Sequence, residues 1–293
     1  MFTNRKLTFC IGVLISILVM SGFVVAQDRA LSPTETATQL FASVEKKDTE
    51  AFKALLCKNV RGYLEKSERK EDRLQLLMGV AGMATPDKSA SASEKIEGGK
   101  ATVTFTKKNA DGSNESSTVE LSKEGERWTG FCLDEKQLQG FTLSDTMASA
   151  MAAAKAVEDP KIRKEIEDFY VKRDQAFKAK DIAAFKSMEL DEYTSVMWVF
   201  MPTVANRQEA DENAANLMQV YKVLKEVSTK VDSVKQSGNE NEVLVETTQA
   251  VRWTDQSGGN NSLDAKYHDT LVRTKDGWKI GYSELIEFNQ KTQ

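Results

Sequence analysis

The residues best suited to chemistry lie near the end of the chain, in two predicted strands joined by a hairpin. Glu284 is the one acid on a strand face that is otherwise apolar, because the other even-numbered positions of Trp278–Phe288 are aromatic or aliphatic. In the preceding strand Asp269 shares a face with Tyr267, and His268 lies on the opposite face. The hairpin is therefore expected to set a second titratable group beside Glu284.

The turn of this hairpin decides which group that is. A two-residue turn at Asp276-Gly277 places Asp269 opposite Glu284, whereas a three-residue turn with a glycine bulge places His268 there. Two carboxyl groups away from water cannot both ionise without a penalty, so one would hold a proton and act as general acid or base. A histidine–glutamate pair would orient the imidazole for similar work. These three residues are the candidate catalytic groups, and the alternative is a solvated position at the rim without a catalytic role.

Aromatic residues near these groups are typical of a site for a small organic molecule. The predicted ligand-binding residues, which would form an apolar wall, are Tyr267, Tyr282, Trp253 and Trp278. The chain offers one histidine and no closely spaced cysteine pair, and no glycine-rich loop leads into a helix. We therefore predict no metal and no cofactor.

The elements that must position this site are predicted over residues 160–290. Asp159-Pro160 begins a long helix, Lys180-Asp181 interrupts it, and a short helix follows. The remaining predicted elements are a strand at Tyr193–Phe200, a helix from about Ala210 to Leu224, and strands near Val227–Gln236, Glu242–Thr254, Leu263–Lys275 and Trp278–Phe288.

The same order of elements is predicted earlier in the chain, and a short motif marks both copies. Residues 47–55 read KDTEAFKAL and residues 180–188 read KDIAAFKSM. In each, the aspartate is expected to cap a short helix and the phenylalanine, Phe52 or Phe185, to be buried. The predicted organisation is a first domain at 33–135, a helical connector at 136–159 and a second domain at 160–290.

This order of elements, ending in YHDTLVRTKDGWKI at Tyr267–Ile280, resembles the nuclear transport factor 2-like superfamily in its SnoaL-like branch. The resemblance is clear over 160–290 and weak over 33–135. It implies an α+β fold of two tandem cones, each with helices packed on a curved antiparallel sheet around a pocket. Sheets of this family often pair face to face, so the two domains are expected to pack as a pseudo-dimer. The family includes isomerases, hydratases and cyclases as well as proteins that only bind, so the fold does not decide the function.

The first 26 residues have the pattern of a secretory signal. Arg5 and Lys6 precede the apolar run Leu7–Ala26, which ends in small residues that suit cleavage before Gln27. The alternative is an uncleaved anchor, because an apolar run of about 20 residues can span a bilayer. Cleavage would take the net charge from −4 to −6, since two basic residues and no acidic ones are lost. We expect export to the periplasm or the exterior, with no membrane attachment after cleavage.

An acidic chain without a basic run repels phosphate backbones, so no nucleic acid partner is predicted. Two cysteines, Cys57 and Cys132, remain after cleavage and are a candidate disulfide in an oxidising compartment, with buried free thiols as the alternative. The predicted function is an exported, non-catalytic binding protein for a small apolar ligand or a protein partner. The alternatives are an acid–base isomerase or hydrolase and a structural envelope protein.

Overall fold

The first half of the chain folds as four helices on an antiparallel sheet. The computed structural model describes residues 30–198 and 201–292, so the predicted signal peptide and Phe200 lie outside the described residues. The helices and strands of this half are α1 (Pro33–Glu45), α2 (Thr49–Leu55), α3 (Lys58–Lys66), α4 (Lys70–Met83), β1 (Ser91–Glu97), β2 (Lys100–Lys108), β3 (Asn114–Glu124) and β4 (Arg127–Gly130). The strands follow the order β1-β2-β3-β4, and alternate residues of β2 and β3 are buried. Phe41 and Phe105 meet edge to face in its core.

The second half carries a larger sheet of order β5-β8-β9-β10-β11-β6-β7. Its elements are α5 (Glu135–Ala153), β5 (Lys155–Ala156), α6 (Pro160–Lys178), α7 (Ile182–Ser187), β6 (Glu189–Trp198), β7 (Pro202–Asn206), α8 (Arg207–Val220), β8 (Val223–Gln236), β9 (Glu242–Thr254), β10 (Asn260–Thr274) and β11 (Gly277–Thr292). The predicted α+β class is confirmed. We expected an antiparallel sheet, but one pair of strands differs: β6 pairs with β11 in parallel. The Ile280 amide donates to the Met188 carbonyl at 2.9 Å, so β6 starts beside the start of β11 and runs the same way.

The two Lys-Asp corners have the same local geometry. Lys47 and Lys180 adopt positive φ angles of 54° and 57°, which end α1 and α6 in a left-handed residue. The carboxyls of Asp48 and Asp181 then accept hydrogen bonds from the third residue beyond, at 3.0 and 2.9 Å. Phe52 and Phe185 are both buried, as predicted. A tandem duplication of the whole domain stays a prediction.

Bulges bend the larger sheet where β10 meets β11. The pairing passes from Leu271–Ile280 to Thr270–Tyr282, which leaves Gly281 as an extra residue in β11. The hairpin turn is Lys275-Asp276, followed by Gly277 at a φ of 104°. Neither predicted turn is therefore formed.

Helix α5 joins the two halves and carries a partly buried polar cluster. Its residue Asp145 accepts hydrogen bonds from Tyr63 and Ser67, both at 2.6 Å, and from Arg73 at 2.8 Å. Methionines on the same helix pack with Leu244 of the larger sheet. We expected the two sheets to pack face to face as a pseudo-dimer. Among the described elements, it is α5, and not the smaller sheet, that makes the extensive contacts with β6 and β7. Among residues 30–198 and 201–292, no helix has the length and apolarity to cross a membrane.

The first half also contains a disulfide between Cys57 and Cys132. Their Cα atoms are 5.0 Å apart, within the range that a disulfide requires. It links the start of α3 to the chain just after β4, so it fastens the helices to the edge of the smaller sheet.

Candidate functional site

A cavity of about 470 Å³ opens between α6, α8 and one face of the larger sheet. Most of its wall is apolar, with Phe177 and Phe185 on the helical side and Val251 and Leu285 on the sheet. This volume is within the range of small-molecule sites in proteins. The core of the first half is formed mainly by its own aromatic and aliphatic side chains, and Trp198 and Met201 of the second half also pack against it.

The polar end of the cavity is built around Asp269. Its side chain is buried, and Oδ2 accepts a 2.5 Å hydrogen bond from the hydroxyl of Tyr170. Its second oxygen, Oδ1, has no hydrogen-bond partner of good geometry, although the Ser283 hydroxyl is near enough to favour the ionised form. Burial raises the pKa of Asp269 above its ordinary value, against the opposing effects of Ser283, Tyr170 and Arg173. A carboxyl of this kind can hold or exchange a proton nearer to neutrality than an exposed one.

A second polar pair, Arg173 and Glu189, lies on the same wall. The guanidinium donates to Glu189 Oε1 at 3.1 Å and stacks over the Phe185 ring, 3.9 Å from its centre. Arg173 Nε and Glu189 Oε2 are both buried without a hydrogen-bond partner. Burial raises the pKa of Glu189 above its ordinary value, and the positive charge of Arg173 partly offsets this rise. Three buried polar atoms around this cavity, counting Asp269 Oδ1, thus lack a protein partner.

Helix α6 brings the two polar pairs together. Tyr170, Arg173 and Phe177 follow helical spacing, so they share the face that looks into the cavity. Asp174, one residue beyond Arg173, accepts from the Thr229 amide at 2.6 Å and from its hydroxyl at 2.7 Å. These bonds fix the helix against β8.

The mouth of the cavity is formed largely by α8. Leu217 and Val220 on this helix, with Met197 on β6, line the cavity and remain 43%, 52% and 39% exposed. Apolar side chains left in water beside a cavity are typical of a ligand entrance. An Asn206–Glu209 capping box fixes the start of α8.

Asp269 and Tyr267 are the two sequence-predicted site residues that line this cavity. Burial raises the pKa of Tyr267 to about 12, so its hydroxyl stays protonated at neutral pH. Their alternation along β10 predicted the shared face correctly. Their catalytic or binding role stays a prediction.

Glu284 does not face the cavity, and the expectation that it would was wrong. The extra residue at Gly281 shifts the alternation of β11, so Ser283 and Leu285 point inward instead. Glu284 is 1% exposed and accepts hydrogen bonds from Trp198 at 2.9 Å and from Tyr282 at 3.2 Å. It therefore belongs to the contact between the sheet and the rest of the protein, and we withdraw it as a catalytic candidate.

The other predicted site residues also lie away from the cavity wall. Tyr282 packs beside the α5 methionines. His268 lies opposite Glu284 in the β10–β11 pairing, which is one of the two registers that the sequence left open. Trp253 is buried against Tyr221, with ring centres 4.9 Å apart. Trp278 donates to Glu165 at 3.1 Å near the hairpin end. The bulge explains the position of Tyr282. Trp253 is taken up by packing in the core, and Trp278 lies partly buried at the hairpin end beside Glu165 and Arg273.

The sequence interpretation missed most of the polar lining, which includes Tyr170, Arg173, Glu189, Tyr193 and Ser283. One signal was present: Arg173 interrupts the apolar stripe of α6, where a charge needs a buried partner. No group of metal-binding side chains is assembled within the part of the chain that the structure describes.

Comparison with solved structures finds several that resemble part of this chain at low similarity. A conserved protein from Planctomyces limnophilus matches at 14% identity and a TM-score of 0.39, covering 44% of this chain and 98% of its own. LinA matches at 14% identity and a TM-score of 0.37, with coverages of 45% and 88%. A ketosteroid isomerase-like protein from Erwinia carotovora atroseptica matches at 16% identity and a TM-score of 0.35, covering 42% of this chain and 95% of its own. No protein-family model and no curated protein matches the chain. The likeness concerns the fold of less than half of the chain.

Proposed function

We propose that the protein binds a small, mostly apolar organic molecule in the cavity between α6, α8 and the larger sheet. The observation that carries this proposal is the cavity itself, about 470 Å³ with apolar walls and an apolar entrance. Burying an apolar ligand there would remove both the ligand and the exposed entrance side chains from water. Export, predicted from residues 1–26, is part of the same proposal, and the disulfide suits an oxidising compartment.

Filling the entrance should abolish binding. The neutral dye Nile red is expected to bind the wild-type protein saturably, with a rise in fluorescence. Ala214 lines the cavity from α8. Ala214→Trp should therefore lower the affinity for the dye at least about tenfold, because the indole would occupy the space of the dye. Ala215 is equally half-buried on the same helix without lining the cavity, so Ala215→Trp is the matched control and should bind normally. Equal binding by the two variants, or none by the wild type, would contradict the proposal.

A second candidate function is acid–base chemistry at Asp269, favoured by its short hydrogen bond to Tyr170 and its raised pKa. A carboxylate held this way can remove a proton from carbon next to a carbonyl and return it.

Deuterium exchange tests this second candidate. 2-Tetralone incubated with the protein in D₂O should exchange its activated C–H protons faster than in buffer, as read by NMR. Asp269→Asn should lose about 100-fold or more of that acceleration, because the amide is no base. Asp276→Asn, in the exposed turn of the same hairpin, should keep it. If 2-tetralone exchanges no faster with the wild-type protein than in buffer, the acid–base candidate is contradicted and binding remains the proposed function.

A further inference from the structure

We infer that Met197 is an oxidation site through which hydrogen peroxide controls access to the cavity. In its oxidised form the Met197 sulfoxide accepts a hydrogen bond from Asn213 across the entrance and hinders the entry of apolar molecules. The inference rests on the proposed binding function and goes further by naming how the same site is regulated. It follows from the position of one exposed methionine and from the donor that faces its sulfur.

Met197 lies open to solvent at the entrance of the cavity. The residue lines the cavity and is 39% exposed, and the contact between its sulfur and Asn213 lies on the surface of the protein. Susceptibility of a methionine to oxidation follows its exposure. Within residues 30–198 and 201–292, Met83 is the only other exposed methionine, and it ends α4 in the first half. Met218 of α8 is buried, so Met197 is the sulfur that an oxidant meets first at this entrance.

Asn213 of α8 faces this sulfur from the helical side of the entrance. Its side-chain nitrogen is 4.0 Å from the Met197 sulfur. A thioether is a weak acceptor, so this contact joins β6 and α8 only loosely. A sulfoxide oxygen is a strong acceptor, and an oxygen added on the side of the amide fills the gap between sulfur and nitrogen. Oxidation thereby converts a weak contact into a hydrogen bond across the entrance.

Both residues are carried by elements whose backbones are held in place. Met197 pairs with Thr203 of β7 in the sheet. Asn213 lies in the helix that begins at the Asn206–Glu209 capping box. The change on oxidation is therefore confined to the side chains of the entrance.

The oxidation requires no group of the protein except the sulfur. A lone pair of the sulfur attacks one oxygen of hydrogen peroxide, the O–O bond breaks, an S–O bond forms, and water leaves after proton transfer. The sulfur loses two electrons and the peroxide gains them. The product is a polar side chain in place of an apolar one. An apolar molecule that enters must then separate the sulfoxide from its donor or bury it, and both are costly.

Nile red binding before and after mild treatment with hydrogen peroxide tests the inference. Treated wild-type protein, with the Met197 sulfoxide verified by mass spectrometry of its peptides, is expected to bind the dye at least about fivefold more weakly than untreated protein. Met197→Leu should keep its affinity after the same treatment. Met83 is 76% exposed and does not line the cavity, so Met83→Leu is the matched control and should lose affinity as the wild type does.

Two asparagine variants test the hydrogen bond itself. Treated Asn213→Ala should lose at most about twofold in affinity, because its sulfoxide has no donor across the entrance. Asn216 is also exposed on α8 and lines the same cavity. Asn216→Ala is therefore the matched control and should lose as much affinity as the wild type. Equal losses in both variants and the wild type would overturn the inference.

The remaining outcomes separate the inference from the binding function on which it rests. Suppose that untreated protein binds Nile red and that Ala214→Trp weakens this binding. If peroxide then leaves the affinity unchanged, or oxidises Met83 and not Met197, the inference is overturned and the binding function stands. A loss in Met197→Leu as large as in the wild type also overturns it, because another methionine is then responsible. If untreated wild-type protein does not bind the dye, both are overturned.

Discussion

Replacing Cys57 and Cys132 together with serine is expected to lower the free energy of unfolding by about 4 kcal/mol. The disulfide joins residues 75 apart in sequence, and a cross-link over so long a loop removes much of the conformational freedom of the unfolded chain. The loss should appear in guanidinium unfolding followed by circular dichroism. Because the bridge fastens α3 to the end of the smaller sheet, the first half of the chain should unfold at lower denaturant than in the wild type.

Reduced wild-type protein is the matched control for this variant and should unfold at a similar denaturant concentration. Thiol titration of the denatured, unreduced full chain should detect only Cys10, whereas all three cysteines should react after reduction. Detection of three thiols before reduction, or a double variant as stable as the oxidised wild type, would contradict a stabilising disulfide.

Trp198→Ala is expected to lower the free energy of unfolding by about 3 kcal/mol. The Trp198 ring meets Phe141 of α5 edge to face, with ring centres 5.6 Å apart, and Arg73 of α4 lies 5.1 Å from the ring centre. Its indole N–H also donates to the buried Glu284. Truncation would open a void in the contact between the two halves and leave Glu284 with one hydrogen bond fewer. Guanidinium unfolding followed by circular dichroism measures the loss.

Trp198→Phe separates the two contributions of this ring. Phenylalanine keeps an aromatic ring against Phe141 and Arg73 and removes only the N–H donor, so its expected cost is about 1–2 kcal/mol. A cost below about 1 kcal/mol for Trp198→Ala would show that this contact does not stabilise the protein.

The sequence predicted the elements with long, regular patterns and missed those without them. Strands β9 and β10 lie close to their predicted limits, because both are rich in β-branched and apolar residues and are bounded by loops that contain glycine. The Lys-Asp corners also form as predicted, since each aspartate is followed at the right distance by the amide that it caps. The strand β1 is exposed along its whole length and carries no apolar period, so nothing in its composition indicated it.

The candidate site was harder to predict because a single residue decides its orientation. Alternation assigns Glu284 to the face of Ile280 only if every residue of β11 is paired, and Gly281 is not. A glycine inside a strand is a recognised signal of a bulge, but it does not say on which side the alternation resumes. The Tyr170–Asp269 pair could not be predicted at all, because its members are 99 residues apart and meet only when α6 lies across the sheet.

A crystal structure with 6-bromo-2-naphthol would show directly whether the cavity binds a small apolar molecule, because bromine can be located by its anomalous scattering. We expect one strong bromine peak within the cavity between α6, α8 and the larger sheet. Bromine located only outside this cavity would contradict the proposed binding site.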